Sequence, residues 1–252
     1  MAVQAMDVAI RSHIGLVRSR NQDWTFADGD LGLLVLADGM GGHRGGEVAS
    51  RIAVQAVTDA LLPAQRQDVA DDMESLMRVG EAAEFANRAL LEKSSKHPEL
   101  RGMGTTVVLA IFREGRIFYA HVGDSRLYRV RYGRIRRLTR DHSLIQQVID
   151  DGVFHNRSAA REGGIKDNIL TRSLGMEKQA EVDVGDALLE TGDTYLFCSD
   201  GLHNLVPDST IAKVLRDSEG DLEEQAQILT DAALGAGGND NISIILARPR
   251  VS

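Results

Sequence analysis

Residues 105–139 read TTVVLAIFREGRIFYAHVGDSRLYRVRYGRIRRLT. Four strand-like runs, TTVVLAIF, RIFYAHV, RLYRVRY and RIRRLT, follow one another here. Only REG, GDS and the glycine of YG separate them. Parallel neighbours need a crossover of a dozen or more residues, whereas short glycine-bearing connectors suit antiparallel hairpins. This stretch predicts an antiparallel meander and decides against a doubly wound parallel sheet.

Upstream, LGLLVLA (31–37) predicts a buried strand ended by Asp-Gly. Val48, Ile52, Ala53, Ala56 and Leu61 recur near helical spacing and predict a helix over 46–62. A longer helix is expected over 68–95, interrupted near Gly80. Downstream, 143–151 predicts a short helix, and FHNRSAAREGGIKDN (154–168) an exposed loop. TYLFCS (194–199) and NISIILAR (241–248) predict strands, with helices over 208–217 and 221–235. Strands in meanders with paired helices between them indicate an α+β class. The expected architecture is a β-sandwich of two antiparallel sheets flanked by helix pairs. With four prolines and no internal repeat, 1–252 reads as one domain, carrying a flap at about 144–169.

The formal charge of −8, from 29 Lys+Arg against 37 Asp+Glu, excludes broad nucleic-acid binding and suits cations. Aromatics are only 4%, so the core must come from aliphatic residues. The single cysteine, Cys198, excludes an intrachain disulfide framework and a Cys-rich zinc site. No signal peptide is visible, and no run reaches the roughly 18 apolar residues of a membrane span. A cytoplasmic protein is expected, with no membrane partner.

Four aspartates stand against strand-like runs: Asp38 in LVLADG, Asp124 in AHVGDS, Asp200 in LFCSDG and Asp240 in GGNDNIS. Singly, each is ordinary turn chemistry. Together, on neighbouring strands, they would converge at one edge, where carboxylates repel and a divalent cation removes the penalty. Oxygen-only ligands suit Mg²⁺ or Mn²⁺. Two such ions about 3.5–4 Å apart can activate a water against a phosphoester. The glycine-dense loop LVLADGMGGHRGGEVAS (34–50) lacks the Gly-Lys-Ser/Thr of a phosphate loop. Its glycines instead let the Gly39 carbonyl turn inward beside Asp38.

The chain resembles the bacterial branch of the metal-dependent protein Ser/Thr phosphatases, the PPM or type 2C family. The resemblance rests on eight segments in order: GLVRSRNQD (15–23), LADGMGGHRGGEVAS (36–50), GMGTTVV (102–108), HVGDSRLY (121–128), LTRDHS (138–143), LTRSLG (170–175), LFCSDGL (196–202) and GGNDNIS (237–243). It implies the sandwich predicted above and a set of roles. Asp38 would bridge two Mn²⁺ or Mg²⁺ ions, and the Gly39 carbonyl would bind the second. Asp200 and Asp240 would complete the first ion's shell, and Asp124 would share a third ion with Asp200. Asp23 would accept from a metal-bound water. Arg18 would bind the substrate phosphate through its planar fork. Water would attack phosphorus in line with no phospho-enzyme intermediate, which leaves Cys198 an inert core thiol.

The resemblance also implies Ser/Thr-phosphorylated protein substrates, a cognate kinase and a monomer. Two alternatives stay open on the residues: a non-catalytic phosphoprotein-binding member, and a phosphatase of a small phosphoester or of an anti-sigma type regulator. Met40 stands where animal-type members carry a histidine, which leaves His43 or a metal-bound water as the acid. Gln22, where many relatives have glutamate, is assigned no role. In the flap, His155, Arg157, Arg161 and Lys166 are candidate contacts for an acidic phosphopeptide.

Overall fold

The structure, a computed structural model, describes residues 5–41, 45–65, 71–216 and 220–250. The chain begins with β1 (Met6–His13), β2 (Asp23–Asp28) and β3 (Leu33–Met40). Two long helices follow, α1 (Gly45–Gln65) and α2 (Asp72–Lys96). The predicted meander is β4 (Gly104–Thr105), β5 (Val107–Arg113), β6 (Arg116–Val122), β7 (Arg126–Arg131) and β8 (Arg134–Arg137). Then come α3 (Leu144–Asp150), α4 (Arg157–Glu162), β9 (Asp183–Leu188) and β10 (Thr194–Cys198). The chain closes with α5 (Asp200–His203), α6 (Asp208–Val214), α7 (Leu222–Gly235) and β11 (Ile242–Pro249).

The strands form two sheets, ordered β1-β11-β10-β7-β8 and β2-β3-β5-β6-β9, with β4 paired to the end of β3. Every pairing between these strands is antiparallel. The meander does not stay in one sheet. β5 and β6 pair with each other, but β7 leaves across the GDS turn to pair with β10. That switch carries Asp124 to the seam between the sheets.

Alternation along the strands builds three apolar layers. Leu33, Val35, Val107, Leu109 and Ile111 face α1 and α2, meeting Val57, Leu61, Val79 and Leu90. Their neighbours Leu34, Leu36, Val108, Ala110 and Phe112 face the other sheet, where Leu127, Tyr195, Phe197 and Ile245 meet them. On the far side Leu196, Ile244 and Leu246 pack under α5, α6 and α7 through Leu202, Ile211 and Leu229. The result is a helix–sheet–sheet–helix stack. β3, β5, β10 and β11 are buried on both faces, which is why they read as unbroken apolar runs.

Three strands escape the sequence reading: β1, β2 and β9. All three are sheet edges, with partly exposed, polar-containing patterns. The interruption expected near Gly80 is absent, and α2 runs unbroken from its Asp71 cap, whose side chain accepts from Glu74 N–H at 2.7 Å. Gly80 is there for close packing: a Cβ would lie 3.2 Å from Val184 of β9. The 154–168 stretch is not loop throughout. Asn156 caps α4 by accepting from Ala159 N–H at 2.9 Å. Among the described residues, no helix is long and apolar enough to cross a membrane.

Phe112 is fully buried between the sheets and meets Tyr195 edge-on, ring centres 5.2 Å apart. Phe112→Ala is expected to cost about 3–5 kcal/mol through lost burial and the cavity left behind. A shift in the urea midpoint at unchanged slope would measure it.

Candidate active site

Asp38, Asp124, Asp200 and Asp240 reach one open cleft from different elements of the two sheets, and Asp23 is buried beside them. Asp23 opens β2 and lies directly opposite Asp38 of β3 in the pairing register. Paired positions share a face, so both carboxylates point the same way. Asp124 sits in the turn between β6 and β7, Asp200 opens α5 after β10, and Asp240 precedes β11. The cleft, about 1030 Å³, is lined by Asp38, Gly39, Asp124, Asp200 and Asp240 together with Arg18.

The peptide framework holds these acids while leaving carboxylate oxygens available. Thr106 N–H donates to the Asp38 carbonyl at 2.9 Å, and Thr106 Oγ1 accepts from Asp38 N–H at 3.0 Å. The same hydroxyl meets Ser125 Oγ at 2.7 Å, tying the end of β3 to the Asp124 turn. Gly123 in that turn has φ +104°, and a Cβ would lie 2.6 Å from the Thr106 methyl. Only glycine fits both constraints. Gly39 meets a comparable one, since a Cβ there would lie 2.0 Å from the Gly46 carbonyl oxygen. His203 Nε2 donates to the Asp124 carbonyl at 2.9 Å. Asn241 Oδ1 accepts from Gln22 N–H at 2.8 Å, while its Nδ2 donates to the Ile14 and Arg20 carbonyls. Asn241 thereby fixes the loop that carries Arg18 beside Asp240.

Burial and crowding make Asp38, Asp200, Asp124 and Asp23 costly to ionise. Burial, then repulsion from Asp23, Asp200, Asp124 and Asp240, pushes Asp38 well above the usual range. Asp200 is raised likewise, by burial and then by Asp124, Asp240 and Asp23. Asp124 is pushed up to about 7 by burial and then by Asp141. Asp23 rises to about 6, chiefly by burial, although Ser243 and Ser199 pull it down. Its Oδ2 accepts from Ser199 Oγ at 2.8 Å, whereas the buried Oδ1 has no partner among the described residues.

Arg18 donates to Asp240 Oδ2 at 2.5 Å and is half exposed. It therefore stands in the acid cluster, held by one of the predicted metal ligands. His43 lies outside the described residues. Cys198 is fully buried and its thiol is pushed up by burial, in keeping with an inert core role.

His155, Arg157, Arg161 and Lys166 stand away from the cleft lining, which takes Gln147, Asp150, Asp151, Asn168 and Ile169 from that segment instead. Arg157 and Arg161 turn inward to Asp167 at 3.0 and 2.6 Å. Arg157 also reaches Asp141 at 3.2 Å. Asp141 is a structural hub: Arg126 binds it with two bonds, at 2.8 and 2.6 Å, and Arg137 adds a third arginine. Burial would raise the Asp141 carboxyl, but Arg126 holds it well below the usual range. Thr106, Ser199, His203 and Asn241 join the site without a sequence signal of their own: the last three neighbour Asp200 or Asp240 in the chain, and Thr106 lies in the GMGTTVV segment, far from any site aspartate.

The sequence pattern of the family described as Protein phosphatase 2C matches residues 11–236. The chain belongs to the protein phosphatase 2C family. Serine/threonine phosphatase stp of Listeria monocytogenes is 36% identical over 244 residues, covering 96% of this chain and 95% of that protein. The serine/threonine phosphatase of S. agalactiae superposes with a TM-score of 0.87 at 36% identity, over 97% of this chain and all of that one. The catalytic domain of the serine/threonine protein phosphatase PstP, in complex with two manganese ions, superposes with a TM-score of 0.81 at 34% identity, over 96% and 97% of the two chains. The α+β sandwich expected from the meander is the fold of these phosphatases.

The cleft of this phosphatase suits hard divalent cations on its own chemistry. Its donors are oxygens, its carboxylates repel one another, and Asp23 keeps a buried oxygen unpartnered. A carboxyl raised in the folded state stabilises the fold only while protonated, so that stability is lost as pH rises through its folded pKa. Metal-free protein is therefore expected to melt several degrees lower at about pH 8.5 than at about pH 6.5, as Asp124, pushed up to about 7, and the raised Asp38 and Asp200 lose the stability their protonated forms supply. His121, His142 and His203, lowered by burial, hold fewer protons folded than unfolded near pH 6.5, so they offset part of this slope at its acid end. Excess Mn²⁺ is expected to remove the difference. A flat melting profile in chelator would show that the acids are not in mutual strain.

Proposed function

We propose that this protein is a metal-dependent serine/threonine phosphatase that hydrolyses phosphoserine and phosphothreonine in proteins. The observation that carries it is the convergence of Asp38, Asp124, Asp200 and Asp240 on one cleft, with Asp23 buried opposite Asp38, in a chain of the protein phosphatase 2C family. Asp38, the Gly39 carbonyl, Asp200 and Asp240 would hold two Mn²⁺ or Mg²⁺ ions, and Asp124 with Asp200 a third. When bound, such ions supply Lewis-acid charge and a water acidic enough to attack phosphorus at neutral pH.

The chain's own residues supply the rest. Asp23, anchored by Ser199 and buried opposite Asp38, keeps an Oδ1 without a partner among the described residues, which would accept from a water held beside Asp38. Arg18 is held by Asp240 in the cleft mouth, where its remaining donors are free to engage phosphate oxygens. Thr106 and Asn241 keep Asp38 and the Arg18 loop in place. His43 or a metal-bound water would protonate the leaving serine or threonine oxygen. The curated relative is named a Ser/Thr phosphatase, which supports phosphoproteins as substrates. We further propose a cognate Ser/Thr kinase, a cytoplasmic location, a monomeric state, and one domain over 1–252 with 144–169 as its flap. The inter-sheet core, drawing on both ends of the chain through Met6 and Ala247, supports the single domain.

Purified protein with Mn²⁺ is expected to dephosphorylate a phosphothreonine peptide, and Asp38→Asn to lower kcat by about three orders of magnitude, the scale of charge stabilisation by metal ions. Metal-independent turnover, or an Asp38→Asn variant as active as the parent, would remove the proposal. Arg18→Ala is expected to raise KM for the peptide about tenfold with a smaller change in kcat. An unchanged KM would take Arg18 out of phosphate binding.

A further inference from the structure

We propose that His142 is a positioning residue for the turn that carries Asp124, clamping Gly123 so that the Asp124 carboxylate is held ready for a cation. The proposal rests on reading Asp124 as a metal ligand, as above. His142 grips Gly123 from both sides. Its backbone N–H donates to the Gly123 carbonyl at 2.9 Å, and its ring Nδ1 accepts from Gly123 N–H at 3.2 Å. A ring that accepts through Nδ1 carries its proton on Nε2. That proton faces Asp183, whose Oδ2 lies 3.3 Å from Nε2. Asp183 is in turn held by Arg172, which donates to its Oδ1 at 2.9 Å. Arg172 itself pairs with Glu181 at 3.0 Å.

The ring is fixed in plane as well. His121 stacks on His142 with centres 4.7 Å apart and planes 21° apart, and His121 Nε2 donates to the Arg140 carbonyl at 2.8 Å. One donor atom each from His121, His142 and Asp183 lies within 4.8 Å of the others, a spacing a metal ion could use. The cation present there is the Arg172 guanidinium, 3.3 Å from His142 Nε2 and bonded to Asp183. The Gly123 N–H on Nδ1 also reserves the lone pair that would leave Nε2 free to ligate. The cluster is therefore built to orient one ring.

The Asp124 turn needs such a clamp. Its glycine stands at φ +104°, where the backbone has no intrinsic preference for one geometry, and Asp124 faces other acids that push it away. His203 holds the carbonyl of Asp124 and His142 holds the residue before it. His142, Asp183 and Arg172 line the same cleft as Asp124, and Arg172 follows the flap in sequence. The series Arg172–Asp183–His142–Gly123 therefore links the segment leaving the flap to the Asp124 carboxylate.

Two near-isosteric variants separate the contacts. His142→Asn places an amide oxygen where Nδ1 was and keeps the Gly123 acceptor. His142→Gln places its amide at the Nε2 position, keeping the reach to Asp183 and losing Gly123. Calorimetric titration of chelator-stripped protein with Mn²⁺ is expected to show the weakest site about tenfold weaker in His142→Gln, and within about twofold of the parent in His142→Asn. Exchange of the Gly123 amide proton, followed by NMR without metal, is expected to accelerate in His142→Gln and not in His142→Asn. If the two variants bind Mn²⁺ alike and protect Gly123 alike, the clamp is wrong, whether both are impaired or both intact. Asp183→Asn, at a half-exposed residue, is expected to give a smaller loss of the same kind, and a parent-like isotherm would remove Asp183 from the series. A parent that binds no Mn²⁺ at all would fail the reading of the cleft instead, and Gly123 exchange would still decide the clamp.

Discussion

Mutual repulsion among carboxylates is the constraint on which this molecule turns. Burial first, and then repulsion between neighbouring acids, opposes the ionisation of Asp38, Asp200, Asp124 and Asp23. The fold tolerates this by fixing Asp38 and Asp124 through their peptide groups and by giving Asp23, Asp200 and Asp240 side-chain donors from Ser199, Asn204 and Arg18. The structure does so with Thr106 on Asp38, His203 and His142 around Asp124, and Asn241 on the loops beside Asp240. Only then are carboxylate oxygens left for a cation.

The two-sheet architecture is what makes the gathering possible. Strand alternation sends one set of residues into the helix-covered layers and the other toward the seam. Asp38 continues the seam-facing series Leu34, Leu36, and Asp23 joins it through the pairing register. The meander's switch from one sheet to the other at Gly123 brings Asp124 to the same seam. Partner choice then separates aspartates of similar burial. Asp141, surrounded by Arg126, Arg137 and Arg157, is held ionised and structural. Asp124, which no arginine pairs among the described residues, is pushed up to about 7 by burial and by Asp141, and suits a metal.

Much of this was legible in residue order. The interior strands β3, β5, β10 and β11 announced themselves because burial on both faces demands continuous apolar residues. The edges β1, β2 and β9 did not, since an edge strand has one partner and a half-solvated face, and tolerates Asp, Arg and Gly. Gly80 looked like a helix break because propensity is local, while its reason, contact with Val184, is a hundred residues away. The flap arginines looked like substrate contacts because charge in a loop suggests solvent. Asp167 and Asp141, which capture Arg157 and Arg161, were invisible as partners before the chain was folded.

The sequence by itself determined the class, the hairpins and the identity of the acids. Local patterns of apolar alternation, glycine and aspartate encode strands and the turns that end them. Tertiary structure alone decided which acids meet, which are neutralised and which histidine touches which turn. Those outcomes depend on the sheet switch at Gly123 and on the pairing of β7 with β10, which is set by contacts between residues far apart in the chain. A hydrogen bond such as Gly123 N–H to His142 Nδ1 forms only once both sheets are in place.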